Sequence, residues 1–114
     1  MTDTKKDGAK RPCVYMLHCK GGSLYTGWTN DFEKRLAAHQ SGKGAKYTRS
    51  HLPVEPVYLE YLPDKITATR REAEIKKLTA EKKQKLVESE RNELCRRSGR
   101  LMNNSKPSTN EEQK

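Results

Sequence analysis

Apolar residues fall in short blocks along this chain, and their spacing changes from block to block. In the run Cys13–Cys19, Val14, Tyr15, Met16 and Leu17 follow one another, which suits a strand and is too short for an ordinary helix. Lys20-Gly21-Gly22-Ser23 reads as a turn, and Leu24–Trp28 as a second strand, so a hairpin is expected. Asn30 with Glu33 offers a helix start. Beyond it, Phe32, Leu36 and His39 span an arc of about 60° at helical spacing, with Arg35 about 40° beyond His39. Gln40-Ser41-Gly42 ends that helix, and 42–56, with two glycines and two prolines, reads as a loop. Val57–Leu62 predicts a third strand. A second helix is expected from about Thr67, as its cap, to Leu78. A third, capped by Thr79, should run to about Ser89 with Leu86 and Val87 inward. The order β-β-α-β-α-α predicts an α/β (α+β) domain, a small three-stranded mixed sheet with helices packed on it.

Composition limits this domain to part of the chain. Only 32% of the 114 residues are hydrophobic, against 34% charged, so one packed core cannot take in the whole length. Residues 1–12 carry four basic and two acidic side chains and residues 91–114 six and three, with few apolar ones. A disordered leader over 1–12, a folded domain over 13–90 and a disordered basic tail over 91–114 are expected. The net charge of +9 favours a polyanionic partner, nucleic acid ahead of a membrane surface. No apolar run approaches the roughly 18 residues of a membrane helix. The first residues lack the apolar stretch of a signal peptide, and three cysteines make no disulfide framework. A cytoplasmic protein is the expectation.

Several polar residues fit a purely structural account poorly. Tyr15 and Tyr25 lie mid-strand and are expected to face each other across the hairpin. Arg35 and His39 are i, i+4 neighbours beside the buried seam of their helix. Glu72 shares a helix face with Ala68, Ile75 and Thr79. A carboxylate turned toward a core needs a partner, an ion pair with Arg35 or a bound cation. From Lys34 to Val54 the chain holds Lys34, Arg35, Lys43, Lys46 and Arg49 and no acid. Its small residues would let backbone N–H groups approach an anion, with Lys46, Thr48 and Arg49 as side-chain donors. A nucleic-acid phosphate track is the expectation, and the alternative is a solvated basic loop.

Together these segments resemble the GIY-YIG nuclease superfamily, more narrowly its small single-domain bacterial members. Cys13-Val14-Tyr15 is similar to the first half of the motif and Tyr25-Thr26-Gly27 to the second. Arg35 and His39 match the following helix, and residues 39–49 and 53–60 are close to signatures of the single-domain group. The stretch Ala68–Lys76 resembles the segment that carries the family's metal-binding glutamate, here Glu72. Cys13 stands where the motif has Gly, Thr26 where it has Ile, and Thr69 where many relatives have Leu. A remote asparagine of some relatives is not carried over to Asn92.

The resemblance implies an endonuclease that hydrolyses nucleic-acid phosphodiester bonds, DNA ahead of RNA, with one Mg²⁺ or Mn²⁺. It further implies low sequence specificity, a structure-selective role in DNA repair or processing, and no evident protein partner. Tyr15, Tyr25, Arg35, His39 and Glu72 would be catalytic, with Glu72 holding the metal. Arg35 would stabilise phosphate charge. Either a tyrosine or His39 would be the general base. Lys34, Lys43, Lys46, Thr48 and Arg49 would hold the backbone, and Trp28 and Tyr47 are candidates to stack on a base. The competing reading is a nucleic-acid-binding module of the same fold with little or no activity. A metal protein built on Cys13, His18 and Cys19 is disfavoured, because strand alternation puts His18 on the opposite face from the two cysteines.

Overall fold

The structure, a computed structural model, describes residues 11–95. Three strands, β1 (Cys13–Cys19), β2 (Leu24–Thr29) and β3 (Val54–Tyr61), form one sheet in the order β2-β1-β3. With them, among the described residues, go α1 (Phe32–Gln40) and the single turn α2 (Lys46–Arg49) between β2 and β3, and α3 (Lys65–Lys76) and α4 (Ala80–Val87) after β3. No helix among the described residues is long and apolar enough to cross a membrane.

β1 is the central strand and is covered on both faces, which explains its unbroken apolar run. Both its neighbours run antiparallel to it, so the sheet is antiparallel throughout rather than mixed. The crossover through α1 does return β3 parallel to β2. But β1 lies between those two strands, and no parallel ladder forms.

Each face of the sheet has its own core. Cys13, Tyr15, Leu17 and Cys19 pack with Phe32 and Leu36 of α1, Val54 and Leu59. On the other side, Val14, Met16 and Tyr58 pack with Ala68 and Ile75 of α3, with Leu86 and Val87 of α4 at the margin. An ion pair between Arg71 and Glu60, 2.9 Å, ties α3 to β3 and sets the rotation of the helix that carries Glu72. Trp28 packs on this second core as a structural side chain.

Several boundaries differ from expectation, each for a local reason. Asp31, not Asn30, caps α1, its carboxylate accepting from the Lys34 N–H. Asp64, not Thr67, caps α3 in the same way, whereas Thr79 does cap α4. β3 begins at Val54 inside the expected loop. Its Pro56 is tolerated because β3 is an edge strand, and the register slips there between Met16 and Leu17. The rest of that loop contains α2.

The domain also reaches beyond 13–90. The Pro12 carbonyl accepts from the Leu62 N–H, and Arg11 lies 3.8 Å from the centre of the Tyr61 ring. Asn92 is buried. Its amide donates to the carbonyls of Val57 and Val87, and its oxygen accepts from the N–H groups of Leu59 and Leu94. One polar side chain in a polar stretch leaves no periodic trace, which is why the expected tail swallowed it. The remainder of the expected leader and tail lies outside the described residues.

Candidate active site

The site is built on the hairpin. Tyr15 pairs with Gly27 and Tyr25 with Leu17. The two tyrosines therefore share a face as diagonal neighbours and do not stand opposite each other, because the turn sets the register two residues away from a direct pairing. A Cβ on Gly27 would lie 2.6 Å from the Tyr15 hydroxyl and 2.8 Å from its ring. Glycine here is the seat of the Tyr15 ring.

His39 comes from α1 and is fully buried. Its Nε2 is 2.8 Å from the Tyr15 hydroxyl, and its Nδ1 is 2.8 Å from Thr48 Oγ1. Hydrogen-bond accounting assigns the tautomer. The Thr48 hydroxyl donates to the Ala45 carbonyl at 3.1 Å and also accepts from the Ala45 N–H. With its one proton committed, it can only accept from His39, so Nδ1 carries the hydrogen. Nε2 is then the acceptor, and the Tyr15 O–H donates to it. Gly44 closes the other side, where a Cβ would clash with His39 Nδ1 and stand 2.8 Å from its Cα.

Electrostatics agree with that assignment. Burial holds His39 below its usual value of 6.5, and the Arg35 charge adds to the effect, so the ring is neutral at pH 7. Burial pushes the Tyr15 hydroxyl up to about 12, against a hydrogen-bonding interaction with Arg35 that lowers it. Tyr15 is therefore protonated at neutral pH and is no pre-formed base. His39 has both nitrogens engaged and no exposure, so it can take up a proton only through Tyr15. Arg35 is the charged group that acts on that hydroxyl, and on His39 as well.

Around this pair the expected groups sort themselves. The Tyr25 ring meets the edge of His39 at 5.2 Å and lies nearly parallel to Tyr47 at 6.3 Å. Tyr47 stacks in turn on His51 at 4.0 Å and shares a 2.6 Å hydrogen bond with Ser23. Lys34 and Arg35 line one hollow at the start of α1, of about 210 Å³. Lys43, Lys46 and Arg49 line a second, with Gly42, Gly44 and Ala45, of about 320 Å³. Thr48 departs from expectation. It is buried under His39 and offers nothing to a phosphate, because the single turn of α2 directs it inward while Lys46 and Arg49 face outward.

Glu72 is set apart. Its helix packs on the opposite face of the sheet from Tyr15 and His39. Its side chain is 20% exposed, and its partner is Lys76 at 3.4 Å, not Arg35. Lys76 lines a groove with Tyr25 and Tyr47 across the free edge of β2. Among the described residues no three His, Cys, Asp or Glu side chains converge as a metal cage. A single carboxylate can hold a hard cation that keeps most of its waters and shares a substrate phosphate, in competition with the Lys76 ammonium. The cysteine–histidine reading finds no support, since Cys13 and Cys19 are core residues and His18 is exposed.

Sequence reading missed Thr48 as a histidine partner and Lys76 as the partner of Glu72. The i, i+4 spacing of Lys76 could have found the second. The first depends on the path of the 41–48 loop and had no local signal.

A hairpin-centred α+β domain that gathers Tyr15, Tyr25, Arg35 and His39 on one face defines the class of small nuclease-fold domains. The GIY-YIG catalytic domain matches residues 11–85, and the chain belongs to that family. It is 55% identical over 76 residues to a UPF0213 protein of Clostridium perfringens, covering 67% of this chain and 82% of that one. To a UPF0213 protein of Staphylococcus saprophyticus it is 49% identical over 74 residues, 65% of this chain and 90% of the relative. A UPF0213 protein from Bacillus halodurans, solved by NMR in solution, shares 42% identity. The match covers 88% of this chain and 99% of that one, with a TM-score of 0.49.

Proposed function

We propose that the protein is a divalent-cation-dependent endonuclease that hydrolyses nucleic-acid phosphodiester bonds, DNA ahead of RNA, with low sequence specificity. The observation that carries this is the buried Tyr15–His39 hydrogen bond, with the Arg35 charge acting on the Tyr15 hydroxyl. Arg35 would hold the non-bridging oxygens of the scissile phosphate by charge-assisted hydrogen bonds. A water attacking phosphorus would give its proton to the Tyr15 oxygen while the Tyr15 proton passes to His39 Nε2, and the bond from phosphorus to the leaving sugar oxygen would break, that oxygen taking a proton from solvent. His39, already hydrogen-bonded through Nδ1 to Thr48, is oriented to receive it. Tyr25 would border the reacting phosphate from β2. Lys34, Lys43, Lys46 and Arg49 would hold the flanking backbone without reading bases. Glu72 would hold Mg²⁺ or Mn²⁺, which supplies Lewis-acid stabilisation of phosphate charge when bound.

One observation favours the second reading, a binding module with little activity: the Lys76 ammonium already neutralises Glu72. Incubation with single-stranded, duplex and branched DNA and with RNA, in Mg²⁺, Mn²⁺ and EDTA, separates the two. The endonuclease cleaves at least one substrate in a metal-dependent way. Glu72→Gln should lose that cleavage and keep binding and folding. A Glu72→Gln variant cutting at the wild-type rate removes Glu72 from the mechanism, and binding without cleavage in every condition leaves the binder.

A further inference from the structure

Of the lysines that follow Glu72 among the described residues, only Lys76 touches the groups of that mechanism, as the partner of Glu72. Residues 76–85 hold Lys76, Lys77, Lys82, Lys83 and Lys85 against one acid, Glu81. Two of them face the site. A groove of about 260 Å³ crosses the free edge of β2, with Leu24, Tyr25, Thr26 and Tyr47 on one side and Lys76 and Lys83 on the other. Lys83 is half-buried and makes no ion pair among the described residues.

We propose that this groove is a nucleotide subsite of the substrate strand. Lys83 and Lys76 take a backbone phosphate, and the nucleotide lies against Leu24 and Tyr47. The chemistry is matched. The groove joins an apolar and aromatic wall to two cations, which suits a sugar-phosphate with its base. The outward backbone groups of edge strand β2 are open to the same ligand. The substrate path then runs from the 43–49 loop past Tyr25 and over the β2 edge onto α3 and α4. It touches both faces of the sheet and passes the helix that carries Glu72. This inference rests on the nucleic-acid reading above.

The test is fluorescence anisotropy with a labelled single-stranded DNA oligonucleotide over a salt series in EDTA, so that cleavage plays no part. Lys83 is the informative lysine, because Lys76 also serves Glu72. Lys83→Ala should weaken binding about threefold to tenfold and lower the slope of log K against log salt by roughly 0.7. The loss should add to that of a Lys46→Ala/Arg49→Ala variant. Wild-type affinity and slope in Lys83→Ala, with binding weakened only in Lys46→Ala/Arg49→Ala, overturn the subsite and leave the nucleic-acid reading standing. Failure of the wild-type protein to bind at any salt overturns both.

Discussion

The Tyr15 hydroxyl donates to Nε2 of His39 across 2.8 Å, at a point where neither side chain is open to solvent. Two residues 24 positions apart thus form one proton-holding unit. Each has a perturbed acidity for the same first reason, burial.

A pH profile follows from that unit. The folded state depresses the His39 value below 6.5. In the window from 6.5 down to the folded value, the unfolded chain binds more protons than the native one. The stabilisation is therefore complete above about 6.5 and is lost as pH falls through the folded value. Protonated His39 also cannot accept from Tyr15, so cleavage rate should drop along the same acid limb. Stopped-point rates and thermal melts, taken downward from pH 8 until the protein unfolds, measure both. A rate flat over the whole range in which the protein stays folded would remove His39 from proton transfer.

Thr48→Val keeps the volume and removes the acceptor of the His39 Nδ1–H, as well as the bond to Ala45. A loss of about 1–3 kcal/mol in stability is expected for the buried groups left unpaired. A fall in kcat larger than any change in KM should accompany it, because the other imidazole tautomer becomes accessible. Thr48→Ser should restore both, and equal recovery failure in kcat and in melting would point to packing alone.

Gly27→Ala should shift the Tyr15 hydroxyl, since the added methyl lies 2.6 Å from it. Tyr15 is locked by its bond to His39 and cannot yield freely. Overpacking of this kind costs about 1–3 kcal/mol, and activity should fall with it. Gly44→Ala, which meets His39 instead, should behave alike. Urea unfolding with a parallel cleavage assay reads the two effects, and a Gly27→Ala variant of wild-type stability and rate would contradict the seat assigned to this glycine.

Asn92→Ala removes a side chain that joins β3 to the end of α4. Leaving those buried backbone groups unmatched should cost about 2–4 kcal/mol. A chain ending at residue 90 should lose at least as much. Chemical denaturation of both variants is the check, and wild-type midpoints would return residues 91–95 to the tail.

The sequence by itself determined the order of the strands and the longer helices, and it marked the candidate site residues. The unbroken apolar run of β1, the arc of Phe32, Leu36 and His39, and Thr79 at its helix start are local signals, set by side-chain period and capping chemistry. The motif residues Tyr15, Tyr25, Arg35 and His39 were legible for the same reason, each standing at a fixed offset within its own segment. What joins distant segments was decided only by the tertiary structure. The antiparallel path of β3 beside β1, the diagonal placement of the tyrosines, Thr48 beneath His39 and Asn92 between β3 and α4 are long-range pairings. Glu72 shows the division within one residue. Helical spacing turned it toward the sheet, but its place across the β2 edge, beside Lys76 and not Arg35, depended on which face α3 covers.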